Sequence, residues 1–209
     1  MPEDSTPRTA AAAGDDTAKP GRRRSPQAHE AIMDATIEIL QEVGYSRLTV
    51  EGVAARAGVG KTTVYRWWPS KTSLVVETLD RYLDLPPLDP SGDARADIRA
   101  LIQRIADTFA GPPLGDVLPA LAVDLTRDPE AAEQFRRMLG PRRAANAAVL
   151  YHAAGRGDLP HDIDPHALLD ILAGAILYRS LMRAAPTPTL VNQLVDMVLD
   201  GQLPRAGTQ

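Results

Sequence analysis

Residues 49–71, reading TVEGVAARAGVGKTTVYRWWPSK, constrain the fold of this 209-residue chain more than any other segment. Val50, Val53, Ala54 and Ala57 recur at helical spacing behind Thr49, whose hydroxyl can cap the first turn. Gly58 permits a sharp reversal, because glycine tolerates a positive φ. A further helix of about residues 61–68 follows and stops at Pro69. Two short helices around a tight turn make a helix-turn-helix, a shape that fits the major groove of duplex DNA.

The second of these helices has two unlike sides. Residues advance by about 100° each, so Val64 and Trp68 stack on one side with Trp67 flanking them. Thr62, Thr63 and Arg66 lie opposite, with Lys61 at the leading end. Arginine suits bidentate contact with guanine, and threonine can bond a base or touch a thymine methyl. An ordinary polar surface on a small bundle would show the same pattern, so the helix alone leaves both readings open. Lys61 and Lys71 favour DNA. Each sits at a helix start, where the dipole disfavours a cation by about 0.3–1 kcal/mol unless an anion docks there.

Residues 47–71 resemble the DNA-binding module of TetR-family (tetracycline-repressor-like) transcriptional regulators. The matching features are Thr49, Val53-Ala54, Ala57-Gly58-Val59, Thr63-Val64-Tyr65-Arg66 and Pro69-Ser70-Lys71, and the likeness extends upstream over residues 32–45. The resemblance implies base-edge contacts from Lys61, Thr62, Thr63 and Arg66. It implies phosphate contacts from Thr49, Tyr65, Trp67 and Lys71. Gly60 departs from the family's usual Ser/Thr-like cap, at a small cost in stability. Pro141-Arg142-Arg143, Arg156-Gly157-Asp158-Leu159 and Ala173-Gly174 are similar, more loosely, to an actinobacterial-looking branch of the family.

The remainder reads as helical throughout. Residues 1–24 lack periodic apolar positions and are expected to be a disordered tail ending in Arg22-Arg23-Arg24, either a solubilising patch or an arm on DNA. Ser25 and Pro26 open a helix carrying Ile32, Ala35, Ile39, Leu40 and Val43, and Gly44 closes it. Ser70 caps a fourth helix with Leu74, Val75, Leu79, Tyr82 and Leu83. The Pro-rich segment 86–92 is a linker, and residues 98–109 form an amphipathic helix that Gly111-Pro112-Pro113 breaks. Residues 114–125 are apolar on most sides and are expected to be buried. Residues 129–151 form a helix with a kink or restart at Gly140-Pro141, and residues 165–182 and 188–199 form the last two. The expected fold is all-α: an N-terminal three-helix helix-turn-helix module and a C-terminal bundle of about five to six helices, dimeric. The boundaries are 25–83 for the DNA-binding domain, 84–204 for ligand binding and dimerisation, and 205–209 for a tail.

Composition excludes several alternatives. With no cysteine there are no disulfides and no thiolate metal ligands, which suits a reducing compartment. No apolar run is long enough for a membrane span or signal peptide, so a soluble, cytoplasmic protein is expected. A net charge of −4 argues against indiscriminate nucleic-acid binding. Its distribution is uneven: residues 22–81 carry nine Lys/Arg against seven Asp/Glu, whereas residues 82–209 carry twelve against sixteen.

Gly60-Lys61-Thr62 is not a phosphate-binding loop, since Ala55 stands where the motif needs glycine. Asp162, Asp164 and His166 read as a cap and first turn rather than a metal cluster, and His29 and His152 as single helical histidines. With no catalytic arrangement, the chain is expected not to be an enzyme and to need no cofactor or metal.

Specific reading of an operator needs two modules, so a symmetric homodimer is expected. Its apolar, self-complementary surface would come from Leu168, Leu169, Leu172, Ile176, Leu190, Leu194 and Val198, with Ala173-Gly174-Ala175 allowing close approach. The resemblance also implies a small-molecule cavity whose occupant shifts the two recognition helices. Its expected lining is Phe109, Leu121, Phe135, Tyr151 and Tyr178, with Arg104 or His152 as polar anchors. Together these features describe a ligand-released repressor of a palindromic operator. The alternative is a helical dimer that binds another protein without DNA specificity.

Overall fold

The computed structural model describes residues 25–83, 86, 88–110, 114–182, 184 and 186–201. The Arg22–Arg24 arm, the Gly111-Pro112-Pro113 break and the 205–209 tail lie outside these residues. Among the described residues every regular element is helical: α1 (Pro26–Val43), a 3-10 turn (Tyr45–Arg47), α2 (Val50–Arg56), α3 (Lys61–Tyr65), α4 (Lys71–Tyr82), α5 (Ala94–Ala110), α6 (Leu114–Leu125), α7 (Pro129–Gly155), α8 (Pro165–Leu181) and α9 (Pro188–Asp200). None of these helices is long and apolar enough to cross a membrane.

The starts are set by local chemistry. Ser25, Thr49, Ser70, Asp128, Asp164 and Thr187 each accept a backbone N–H from the first turn that follows them. Ser70 and Ser73 form a reciprocal capping box. Asp164 accepts from His166 and Ala167, so the Asp162–His166 segment is a helix start. Gly58 adopts φ +66° in the turn between α2 and α3.

Two apolar cores organise the chain. The first gathers one side of α2 and α3 and most of α4 around α1, and it extends to Leu114, Val117, Leu118 and Leu121 of α6 and Met138 of α7. The second packs α5, α7, α8 and α9. The helix-turn-helix module therefore shares its core with α6 and the first half of α7.

Several sequence-based expectations change here. α1 is buried on more than one stripe, since Met33, Thr36 and Ile37 are also covered. α3 ends at Tyr65, three residues early, and Arg66 and Trp67 form a turn that carries Trp68 into the core. α6 buries one side only, leaving Val123 51% exposed. α7 runs through Gly140-Pro141 without a restart. Pro141 lies on the exposed side of α7, where the carbonyl it leaves unpaired is not trapped in a core.

The expected dimer residues are also redistributed. Leu169, Leu172, Ile176 and Leu194 are buried in the second core of the protomer and cannot face another copy. Leu168, Leu190 and Val198 are half-buried against the same core. The exposed apolar side of α8 is instead Ile171, Tyr178 and Leu181, continued by Met182.

Candidate nucleic-acid interface

A five-residue helix has almost no stability of its own, so α3 depends on its seat. Val64 is fully buried and Trp68 is 2% exposed, both in the first core. The Trp68 indole donates to Glu77 Oε2 of α4 at 2.7 Å, and Glu77 Oε1 lies 2.9 Å from His29 Nε2 of α1. The His29 ring sits 4.4 Å from Trp67 and 4.9 Å from Trp68. His29, noted in the sequence only as a single histidine, thus belongs to the anchor of α3.

With that side fixed, Lys61, Thr62, Tyr65 and Arg66 are exposed and Thr63 is half-buried, forming one polar edge. Thr49 is exposed beside it while its oxygen caps α2 through Gly52 N–H at 3.1 Å, leaving the hydroxyl proton free to donate. Gly60 provides no side-chain cap, and Thr63 N–H bonds the Gly60 carbonyl at 2.8 Å. Trp67 drops out of the phosphate set. Its indole Nε1 is buried and meets no acceptor among the described residues, so it cannot present an N–H to a backbone oxygen.

The two lysines at helix starts each have a partner within the chain. The Lys61 ammonium pairs with Glu51, which also holds it above its usual value. Lys71 Nζ lies 4.1 Å from the centre of the Tyr45 ring. Burial pulls the Lys71 ammonium below its ordinary value, and Asp124 opposes that shift. Their placement alone therefore does not require an anion.

Lys71 stands in a network that the sequence did not disclose. The Tyr45 hydroxyl donates to Asp124 of α6 at 2.6 Å and lies 3.2 Å from Thr72. Burial first, and the Asp124 contact second, push this hydroxyl well above its ordinary range, so it remains a neutral donor. Ser70 donates to Asp128 at 2.8 Å, and Asp128 also caps α7. The N-terminal end of α4, one edge of the polar face, is thereby tied to α6 and α7.

A second concave site lies in the C-terminal half. A cavity of about 120 Å³ is walled by α5, α7 and α8, with Leu83 and Leu114 also lining it. Its surface includes Ile105, Phe109, Leu139, Leu169, Arg104, Arg142, Arg143 and Asn146. Of the expected lining, Arg104 and Phe109 are present. Leu121 is fully buried in the first core, and Phe135 packs against that core. Tyr151 and Tyr178 are 56% and 63% exposed, and His152 faces solvent too, so these three point away from the cavity.

Known proteins agree with both halves. The family model described as "Bacterial regulatory proteins, tetR family" matches residues 32–78, and "Tetracyclin repressor-like, C-terminal domain" matches residues 88–198. An uncharacterized HTH-type transcriptional regulator of Mycobacterium tuberculosis, Rv1556, is 33% identical over 180 residues, 84% of this chain and 87% of that protein. The DNA-binding transcriptional repressor TetR of Mycobacteroides abscessus is 29% identical, over 81% of this chain and 90% of its own. The crystal structure of the TetR-family regulator SCO0332 superposes with a TM-score of 0.69 at 34% identity, covering 85% of this chain and all of that one. FadR from Bacillus subtilis, crystallised with stearoyl-CoA, shares the fold at a TM-score of 0.56 and 16% identity, over 83% of this chain and 99% of its own. The polar edge of α3, the packing beneath it and these matches lead to one conclusion: the chain belongs to the TetR family of helix-turn-helix DNA-binding transcriptional regulators.

Proposed function

We propose that this regulator is a repressor that binds a palindromic operator as a homodimer and leaves it when a small molecule enters the α5–α7–α8 cavity. The observation that carries the DNA-reading part is the polar edge of exposed Thr62 and Arg66 and half-buried Thr63, clamped from behind by Val64 and Trp68. Lys61, Thr49, Tyr65 and Lys71 border it as backbone-contacting groups. The name of the Mycobacteroides relative supports repression, and the FadR complex with stearoyl-CoA supports the binding of a small-molecule ligand. Action on DNA in a bacterial cell implies a cytoplasmic site.

Selection of bound duplexes from a random pool tests this directly, with a palindromic consensus as the expected result. On that duplex, Arg66→Ala should relax base preference at one position per half-site, a loss of about 1–3 kcal/mol of discrimination. Lys71→Ala should weaken all sequences alike and flatten the salt dependence by about one phosphate contact. If neither change alters binding, the face is misassigned and a protein-interaction role takes its place.

The dimer surface that fits is the exposed side of α8, with Ile171, Tyr178, Leu181 and Met182. A contiguous apolar stripe of this kind is costly to leave in water and is self-complementary across a two-fold axis. Tyr178→Asp should therefore shift the mass in light scattering from dimer to monomer and abolish cooperative operator binding. An unchanged dimer would move the interface elsewhere.

A further inference from the structure

We propose that the cavity between α5, α7 and α8 binds a compact amphipathic monoanion, an aryl or short-chain carboxylate, with Arg104 receiving the carboxylate. The site is the effector cavity of the preceding section, and the inference rests on that assignment.

The three arginines of the cavity differ in how their charges are met. Arg142 pairs with Asp80 at 2.7 Å, and Arg143 pairs with Asp170 at 2.6 Å. Arg104 has no carboxylate partner among the described residues. Its guanidinium donates to the Pro86 carbonyl at 2.6 Å and to the Asn146 side-chain oxygen, both neutral acceptors. Its Nε is buried and finds no acceptor. Burial pulls Arg104 below its ordinary value with no opposing negative charge. One half-buried cation without a carboxylate partner at a cavity edge can recruit one negative charge.

The geometry of that free group selects the anion. Each terminal nitrogen of Arg104 carries a second N–H beyond its bond to Pro86 or Asn146, and a pair of guanidinium N–H groups forms a fork that matches the two oxygens of a carboxylate. Asn146 sits beside the same guanidinium, and its amide carries N–H donors of its own. Much of the remaining lining is apolar, with Leu83, Ile105, Phe109, Leu114 and Leu139. Size sets the rest. A dry cavity of about 150 Å³ holds one benzene, so about 120 Å³ encloses no more than the apolar part of one small ring or a short chain, with the carboxylate left at the Arg104 edge. A coenzyme A thioester, with several phosphates, meets only one unneutralised guanidinium here among the described residues.

Calorimetric titration of the full chain at neutral pH tests this with benzoate, phenylacetate and hexanoate against benzyl alcohol, benzamide and 1-hexanol. The carboxylates are expected to bind at least about tenfold more tightly than their neutral counterparts, the factor that one charged hydrogen bond supplies. Arg104→Met should erase that preference while neutral binding persists, and Arg104→Lys should restore part of it. Ala173→Leu, which fills the cavity, should weaken both classes. Circular dichroism and thermal melting verify that each variant is folded. Equal binding of neutral and anionic probes would overturn the ligand class. So would no binding by any carboxylate, or a preference that survives Arg104→Met in the folded protein. Carboxylate binding that leaves the selected duplex bound would support the site and overturn the effector assignment instead, so the two failures are distinguishable.

Discussion

Trp68→Ala is expected to lower the unfolding free energy by about 3–5 kcal/mol, the range for deleting a fully buried aromatic side chain. Trp68 is 2% exposed and fills the space between α1, α3 and α4. The loss has two physical parts. Surrounding side chains relax incompletely into the vacated volume. Glu77 also loses the indole donor at 2.7 Å and keeps His29 as its one side-chain partner among the described residues. Since α3 is five residues long, Val64 and the half-buried Trp67 would then have to hold the recognition edge in place. Operator affinity should fall with stability, even at temperatures where the chain remains folded. Trp68→Phe retains most of the ring packing but no N–H, so it should cost less, about 1–3 kcal/mol. Urea denaturation followed by tyrosine emission or circular dichroism reads the order of the three proteins. A Trp68→Ala loss below about 1 kcal/mol would mean that α3 is anchored elsewhere.

The contrast between what could and could not be read from the chain follows from distance along it. Thr49, Gly58, Ser70 and Pro69 act within one turn of themselves, so the helix-turn-helix was legible almost to its ends. Val64 and Trp68 are four residues apart and share a side for the same reason. The end of α3 was misplaced because tertiary packing draws Trp68 inward and opens the last turn. Tyr45 and Asp124 are 79 positions apart, and Arg104 and Asn146 are 42 apart. Neither pair carries a local signal, because their meeting depends on how whole helices cross. α8 shows a different difficulty. It is apolar nearly all round, and periodicity does not say which stripe the protomer takes. The protomer takes Leu169, Leu172 and Ile176, leaving Ile171 and Tyr178 outside. Aromatic residues were poor guides to the cavity, since Tyr151 and Tyr178 are amphipathic enough to remain at the surface.

Arg142→Ala should lower the unfolding free energy by about 2–4 kcal/mol, because it removes several charge-assisted bonds at a helix end. The Arg142 Nε donates to the Leu83 carbonyl at 2.7 Å, and its two terminal nitrogens reach Asp80 Oδ1 at 2.7 Å, the Met138 carbonyl at 2.6 Å and the Asp80 carbonyl at 2.8 Å. Two of these acceptors are carbonyls in the last turn and cap of α4, where the helix dipole is negative and intrahelical donors run out. A single guanidinium of α7 thus holds the C-terminal end of α4, while Ser70 and the Tyr45–Asp124 pair hold its N-terminal end. Arg142 also lines the cavity, so the same side chain meets the proposed effector space and the helix that follows the polar edge of α3. Arg142→Lys should rescue little, because an ammonium cannot span acceptors arranged around a planar fork. Asp80→Asn removes only a partner that is 53% exposed and should cost no more than about 1 kcal/mol. Hydrogen exchange offers the sharper test. In Arg142→Ala the amides of the last turn of α4 should exchange faster than in the unaltered chain, while those of its middle turn change less. Unchanged protection along α4 would mean that apolar packing alone fixes the helix, and that the route from cavity to DNA runs through the α6 contacts instead.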